Sequence, residues 1–296
     1  MLPKKIWLPL LTAICFAGSF VAGKYTTYDL TPLTTTLLRY IVALLFLGIF
    51  LIGRKSTLRV SLKQDLFYFV FLGLFGIVGY HFFFFTSLYY TSVANTAIIN
   101  AAGPIVTGLM AAAFIKEKLT LRNYIGITGA VGGVLLLISQ NRPQTVGPET
   151  VFWSDLNIGD LLMLLAVISW AAYGIIIKKL ISRYSGLTLT FYAFAFGVLE
   201  LLLLTIFENP IEQARTMSLA SLISILYMGI FASAVGIWLY NLSIEAIGPT
   251  RTSSVVYSLV PIFTAILAGQ FFAEPITAVM IISGGLIIAS LHFALQ

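Results

Sequence analysis

Apolar residues along this chain fall in blocks of about 20, broken by short polar stretches. This is neither the strict alternation of a half-buried strand nor the single stripe of a soluble helix. Blocks such as 66–85 and 158–177 have the length that crosses a hydrocarbon core of roughly 30 Å. The pattern predicts spans at 6–24, 32–52, 66–88, 93–115, 121–139, 158–178, 187–206, 219–241, 251–272 and 276–294. In lipid, only a helix or a closed barrel satisfies every backbone polar group. Barrel strands alternate over about ten residues, so the expectation is an all-α, polytopic membrane protein of about ten transmembrane helices. The longest connection, 140–157, carries Asn141, Pro143, Gly147, Pro148 and Asp155. It divides the chain into segments 6–139 and 158–294, with the connection itself as an extracytoplasmic linker. Residues 1–5 (MLPKK) ahead of an apolar block resemble a signal peptide, but FAGSF at 16–20 is a poor cleavage site, so a retained first helix is expected.

Composition removes the soluble alternative. Charged residues make up 9% of the chain and hydrophobic residues 59%, against about 25% charged in a soluble domain. The net charge of +6 has a topological explanation rather than a nucleic-acid one. With the N-terminus in the cytoplasm, Lys4, Lys5, Arg54, Lys55, Arg59, Lys63, Lys116, Lys118, Arg122, Lys178, Lys179, Arg183 and Arg251 all fall on the cytoplasmic side or at its edge. That leaves Lys24, Arg39, Arg142 and Arg215 of the 17 basic residues elsewhere. This asymmetry places both termini inside, and a bacterial plasma membrane is the simplest location.

An internal repeat is written in the sequence. PIVTGLM from Pro104, with Glu117 and Thr120 following, matches PIFTAIL from Pro261, with Glu274 and Thr277, at a shift of 157 residues. Gly79 falls on Gly236 at the same shift, and Phe16-Ala17 with Lys24 matches Trp170-Ala171 with Lys178 at a shift of 154. Each copy holds five predicted spans. An odd number makes the second copy enter the membrane from the opposite side, so the halves form an inverted repeat suited to alternating access.

These features resemble the EamA-type branch of the drug/metabolite transporter superfamily. The resemblance rests on 18–24 (GSFVAGK), on Pro32 to Arg39, on 91–95 (TSVAN) leading to Pro104, and on the paired Pro, Glu and Thr positions. It covers nearly the whole chain, and it implies a carrier or exporter of amino acids, nucleosides, sugars or other metabolites. No arginine in the second half matches Arg39; span 7 offers Glu200 instead.

Ionisable residues inside a span are costly and are usually functional. Arg39 is a candidate for an anionic or carboxylate group, and Glu200 for a proton or a cation, with a structural or gating role open for each. Tyr80, Trp170, Tyr257, Asn95 and Asn100 are candidates to line an apolar pocket with a few polar handles. His81 is a candidate proton relay or a hydrogen-bonded packing residue. Pro104 and Pro261 are expected inside helices 4 and 9, where each would free a backbone carbonyl and kink the helix beside a cavity. Lys24 and Lys178 read as snorkelling anchors, and Glu117 and Glu274 as caps for the helix that follows. The glycines of span 3 (73, 76, 79) and span 5 (126, 129, 132, 133) read as faces for close helix packing within the chain.

The leading expectation is a secondary transporter, exporter rather than importer, of a small organic metabolite such as an amino acid. Its partners would be that solute and the lipid bilayer, with no nucleic acid and a homodimer left open. No cofactor, metal site or ATP-binding motif is expected, because HExxH, GxSxG, Walker and GxGxxG motifs are lacking and Cys15 is alone. A membrane-embedded enzyme would need clustered His, Asp or Glu. A channel would show a filter loop or a charged ring. Both remain the alternatives, together with a receptor.

Overall fold

The computed structural model describes residues 7–53, 60–116, 120–140, 157–247 and 249–294, and all regular structure among them is helical. The helices are α1 (Trp7–Thr26), α2 (Pro32–Gly53), α3 (Leu62–Tyr90), α4 (Val93–Asn100), α5 (Gly103–Ile115), α6 (Leu121–Gln140), α7 (Ile158–Leu180), α8 (Gly186–Leu204), α9 (Pro210–Thr216), α10 (219–247), α11 (Pro249–Phe272) and α12 (Ala278–Ala294). Eight apolar helices or helix pairs are long enough to cross a bilayer. Two further apolar stretches, Leu121–Leu137 and Ala278–Ala294, are shorter among the described residues. Large apolar side chains such as Ile52 (80% exposed), Leu121 (75%) and Ile49 (72%) face outward, as lipid-facing residues do.

Sequence sets the helix boundaries locally. Ser92, Asn157, Ser185 and Ser218 each accept a hydrogen bond from a backbone N–H in the first turn of α4, α7, α8 and α10, which satisfies an otherwise orphaned donor. Thr120 and Thr277 accept in the same way at the starts of α6 and α12. The Thr of the repeated motif is therefore a cap in both copies. The Glu is used differently. Glu274 does not cap the helix after it; its two oxygens accept from Val93 N at 3.0 Å and Ala94 N at 3.2 Å, at the start of α4. Glu117 lies outside the described residues.

The repeat persists in the backbone. Lys116 (φ 54°) and Ala273 (φ 53°), 157 positions apart, both take the left-handed conformation that ends a helix. In α3, residues Gly73–Gly79 form a π-helical segment, and in α10, Met228–Val235 do the same. The wide turns close on Tyr80 N–H to Phe75 O and on Gly236 N–H to Phe231 O, each five residues back. The halves differ at the paired prolines. Pro261 stands inside α11 as expected. Pro104 does not stand inside a helix: the chain breaks at Ala101 and Ala102, and Pro104 opens α5. A proline in the first turn has no intrahelical N–H bond to lose, and its fixed φ suits the start of a helix.

Glycine faces bring helices together within the chain. A Cβ on Gly126 would stand 2.5 Å from Ala294 Cβ and 2.8 Å from Ser290 O, and one on Gly133 would stand 2.8 Å from Ile287 Cγ1. α6 and α12 thus run antiparallel in close contact. Gly76 and Gly79 of α3 take Tyr173 and Ser169 of α7 in the same way. At the end where α3 begins, the buried Asp65 accepts from Tyr184 Oη at 2.6 Å and pairs with Arg183 at 2.9 Å, tying α3 to the α7–α8 turn.

The opposite end is held by a set of polar clamps. Asp29, between α1 and α2, accepts from the hydroxyls of Ser218 (2.5 Å) and Ser221 (2.6 Å) and from Ser218 N at 2.9 Å. Those three donors favour the ionised carboxylate and hold its pKa below the usual 3.8. A carboxylate whose folded pKa is depressed adds stability above its unfolded pKa, and that stability is lost as pH falls through the folded value. Asp29→Asn is therefore expected to melt below the parent at neutral pH, with the gap closing below about pH 3.8. Thermal melts of both proteins across that range test it; a constant gap would contradict the assignment.

Candidate functional site

A cavity lies between the two halves. The first half contributes Phe16, Ser19 and Phe20 from α1, Arg39 and Tyr40 from α2, Tyr80, His81 and Phe84 from α3, and Asn100 from α4. The second contributes Trp170 from α7, Ala232 and Ile237 from α10, and Val256, Tyr257 and Val260 from α11. Its mix of aromatic walls with a few polar groups is that of sites for small organic molecules.

Most polar lining residues are held by the fold. Arg39 is buried, at 6% exposure, and its Nε donates to Ser233 Oγ at 2.9 Å within the second π segment. Its guanidinium also lies 3.9 Å from Met228 Sδ and sits over the Tyr40 ring at 5.5 Å. No carboxylate among the described residues pairs with it. Gly229 makes this approach feasible, because a Cβ there would stand 2.6 Å from Val42 and 2.9 Å from Arg39 O. The π segment thus presents both the glycine that admits α2 and the serine that orients its arginine.

His81 is a positioning group. Its Nδ1 lies 3.1 Å from Ile77 O, a pure acceptor, so Nδ1 carries the hydrogen, and Nε2 accepts from Tyr40 Oη at 3.1 Å. Tyr40 in turn packs edge-on against Phe194. Tyr80 Oη donates to Asn100 Oδ1 at 3.3 Å, its ring lies 5.1 Å from Trp170, and Trp170 stacks on Tyr173 at 4.9 Å. Ser169 Oγ donates to Phe75 O at 2.8 Å, satisfying a carbonyl of the first π segment.

Of the residues singled out from sequence, Arg39, Tyr80, His81, Asn100, Trp170 and Tyr257 line the cavity, and Asn95, Glu200, Pro104 and Pro261 do not. Asn95 belongs to the clamped end. Its Nδ2 donates to Thr91 Oγ1 at 3.3 Å, and that hydroxyl donates to the buried Asp160 at 2.6 Å. Glu200 lies on α8 against Gly73, and Arg39 bonds Ser233 rather than Glu200. Lys24 is more than an anchor, since its ammonium donates to Leu88 O. Sequence reasoning overlooked Tyr40, Ser19 and Ser233. Tyr40 had a signal in its place beside Arg39; Ser233 had none, because a serine inside an apolar run becomes visible only when the π segment turns it toward α2.

The Glu274 cap yields a further expectation. Glu274→Ala removes an acceptor shared by two N–H groups, and a lost cap costs about 1 kcal/mol. The variant is expected to melt a few degrees lower with the cavity intact. An unchanged melting temperature would show the cap to be dispensable.

An all-helical membrane protein with an aromatic-walled cavity between two related halves is the class this fold and site define. The chain belongs to the EamA-like transporter family, whose model matches residues 3–139 and again 157–296. It is similar to the Bacillus subtilis (strain 168) protein named "Uncharacterized transporter YyaM", with 29% identity over 96% of this chain and 91% of that one. An "Uncharacterized transporter" of Archaeoglobus fulgidus is 30% identical over 87% of this chain and 86% of that protein. A "Probable terminal-alkyne amino-acid exporter" of Streptantibioticus cattleyicolor is 23% identical, covering 97% and 92%. A solved crystal structure superimposes with a TM-score of 0.66 over 98% of this chain and 96% of that one, at 14% identity, a likeness of fold. The chain is accordingly a multi-pass membrane transporter.

Proposed function

We propose that this transporter is a secondary carrier that exports a small amphipathic organic solute bearing a carboxylate, with an amino acid or a close relative as the class. The observation that carries the reading is Arg39: a buried guanidinium with no acidic partner among the described residues, facing a cavity of aromatic walls. Only Nε and Nη1 reach protein side chains, Ser233 and Met228, which leaves N–H donors for the planar, two-pronged pairing that suits a carboxylate. Asn100 and Tyr80 supply neutral polar handles, and Phe16, Phe20, Phe84, Trp170 and Tyr257 supply apolar surface. The Streptantibioticus relative, whose name states an amino-acid exporter, supports both the class and the direction.

Segments 6–139 and 158–294 act as inverted halves in the plasma membrane with both termini in the cytoplasm, and 140–157 is the external linker. Alternating access then requires the clamps around Asp29, Thr91, Glu274 and Lys24 to part while the cytoplasmic end closes. Counterflow in proteoliposomes tests the reading with a panel of labelled L-amino acids, set against sugars and nucleosides. Accelerated exchange of at least one amino acid is expected. Exchange of sugars or nucleosides alone would overturn the substrate class, and uptake without exchange would indicate a channel.

A further inference from the structure

Among the described residues, Glu200 is the carboxylate whose two oxygens are both buried with no hydrogen-bond partner. The other acids with placed contacts have partners: Asp29 holds serines, Asp65 pairs with Arg183, Asp160 accepts from Thr91, Glu208 accepts from Thr31 and Thr34, and Glu274 caps α4. An ionised carboxylate at membrane depth without a partner is strongly disfavoured, so the stable form of this group is the neutral acid.

The surroundings support the same conclusion. The carboxyl rests on the backbone of the first π segment: a Cβ on Gly73 would stand 2.8 and 2.9 Å from its two oxygens, and 2.7 Å from Gly197 N. The segment Gly73–Gly79 holds no titratable side chain. On α2, Arg39 and Tyr40 line the cavity, with Arg39 Nε bonded to Ser233 and Tyr40 to His81, and neither bonds Glu200. On α3, Asp65 is committed to Arg183, about 12 Å along the helix from Gly73, and Tyr68 and the exposed Lys63 lie toward that end. Tyr173 of α7 packs on Gly76, and Glu208 beyond α8 is bonded to Thr31 and Thr34.

The same segment reaches the solute cavity at its other end. Ile77 O accepts from His81, Ile77 packs on Gly197 of α8, and Tyr80 and His81 follow directly as lining residues. We propose that Glu200 is a proton-binding site separate from the solute cavity, and that its protonation is transmitted to the cavity through the π-helical segment Gly73–Gly79. Its use as the coupling site for transport rests on the carrier reading above; its existence does not.

Two measurements on the whole protein in nanodiscs, with no solute present, test both parts. The first is an infrared pH titration. A protonated-carboxyl band that disappears as pH rises is expected in the parent, shifted in Glu200→Asp and missing in Glu200→Gln. The second is the fluorescence of Trp170 alone, with Trp7, Trp153 and Trp238 replaced by Phe. It is expected to change over the same pH range and to lose that change in Glu200→Gln. A Gln variant that keeps the band overturns the proton site. A Gln variant whose Trp170 response equals the parent's overturns the transmission. Neither result depends on finding the transported solute, so a failed counterflow panel overturns the carrier's substrate class and leaves this inference standing or falling by itself.

Discussion

Arg39→Ala is expected to reduce solute transport about 100-fold, because a two-pronged guanidinium–carboxylate contact contributes roughly 2–3 kcal/mol and each 1.4 kcal/mol is tenfold. The loss falls on binding and not on folding, since the residue's contacts with the protein are the Ser233 hydrogen bond, the longer approach to Met228 and the Tyr40 ring. Arg39→Lys keeps the charge and loses the fork. A lysine has no Nε–H set to reach Ser233 while its other donors face the cavity, so a loss of about tenfold is expected. Initial rates in proteoliposomes, measured with the amino acid that exchanges fastest, decide the matter. An alanine variant that transports at the parent rate removes the carboxylate from the proposal.

The second large effect is expected at Gly229. A methyl group there would stand 2.6 Å from Val42 Cγ1, 2.7 Å from Val42 Cβ and 2.9 Å from Arg39 O. Val42 Cβ and a main-chain oxygen cannot rotate away, so α10 must move off α2. Overpacking of this kind costs about 1–3 kcal/mol. Here it also pulls Ser233 from Arg39, so Gly229→Ala is expected to lower the melting temperature and abolish transport together. Gly48→Ala is the control: nothing lies within 4 Å of its Cβ position, and alanine favours a helix, so stability should hold or rise slightly. Equal behaviour of the two variants would show that the close approach at Gly229 has no importance.

Much of this fold is legible in the sequence because lipid imposes one solution on a long apolar run. The helices follow the apolar blocks closely, and the paired Pro, Glu and Thr positions announce the repeat. The failures have physical causes. The break at Ala101 and Ala102 is invisible because alanine favours a helix. The π segments leave no mark in hydropathy, and only the glycines at 73, 76, 79, 229 and 236 hint that neighbouring helices press there. The short helix Pro210–Thr216 is polar, so hydropathy does not mark it between the apolar blocks 187–206 and 219–241.

In the site, Arg39, Tyr80, His81, Asn100, Trp170 and Tyr257 share the cavity because each lies near the middle of its span on an inward face. Asn95, only five residues before Asn100, sits over a turn higher, and it meets Thr91 instead. Depth in the bilayer is readable from position. Which neighbour waits at that depth is not, and for that reason the partners of Glu274 and Glu200 had to come from the structure.

The glycine seam between α6 and α12 has a consequence for how the two copies of the repeat can drift apart. Each helix is the last of its half, and a Cβ on Gly126 would stand 2.5 Å from Ala294 Cβ, one on Gly133 2.8 Å from Ile287 Cγ1. The two closing helices therefore share one surface, and a bulkier residue on either must be answered by a smaller one on the other.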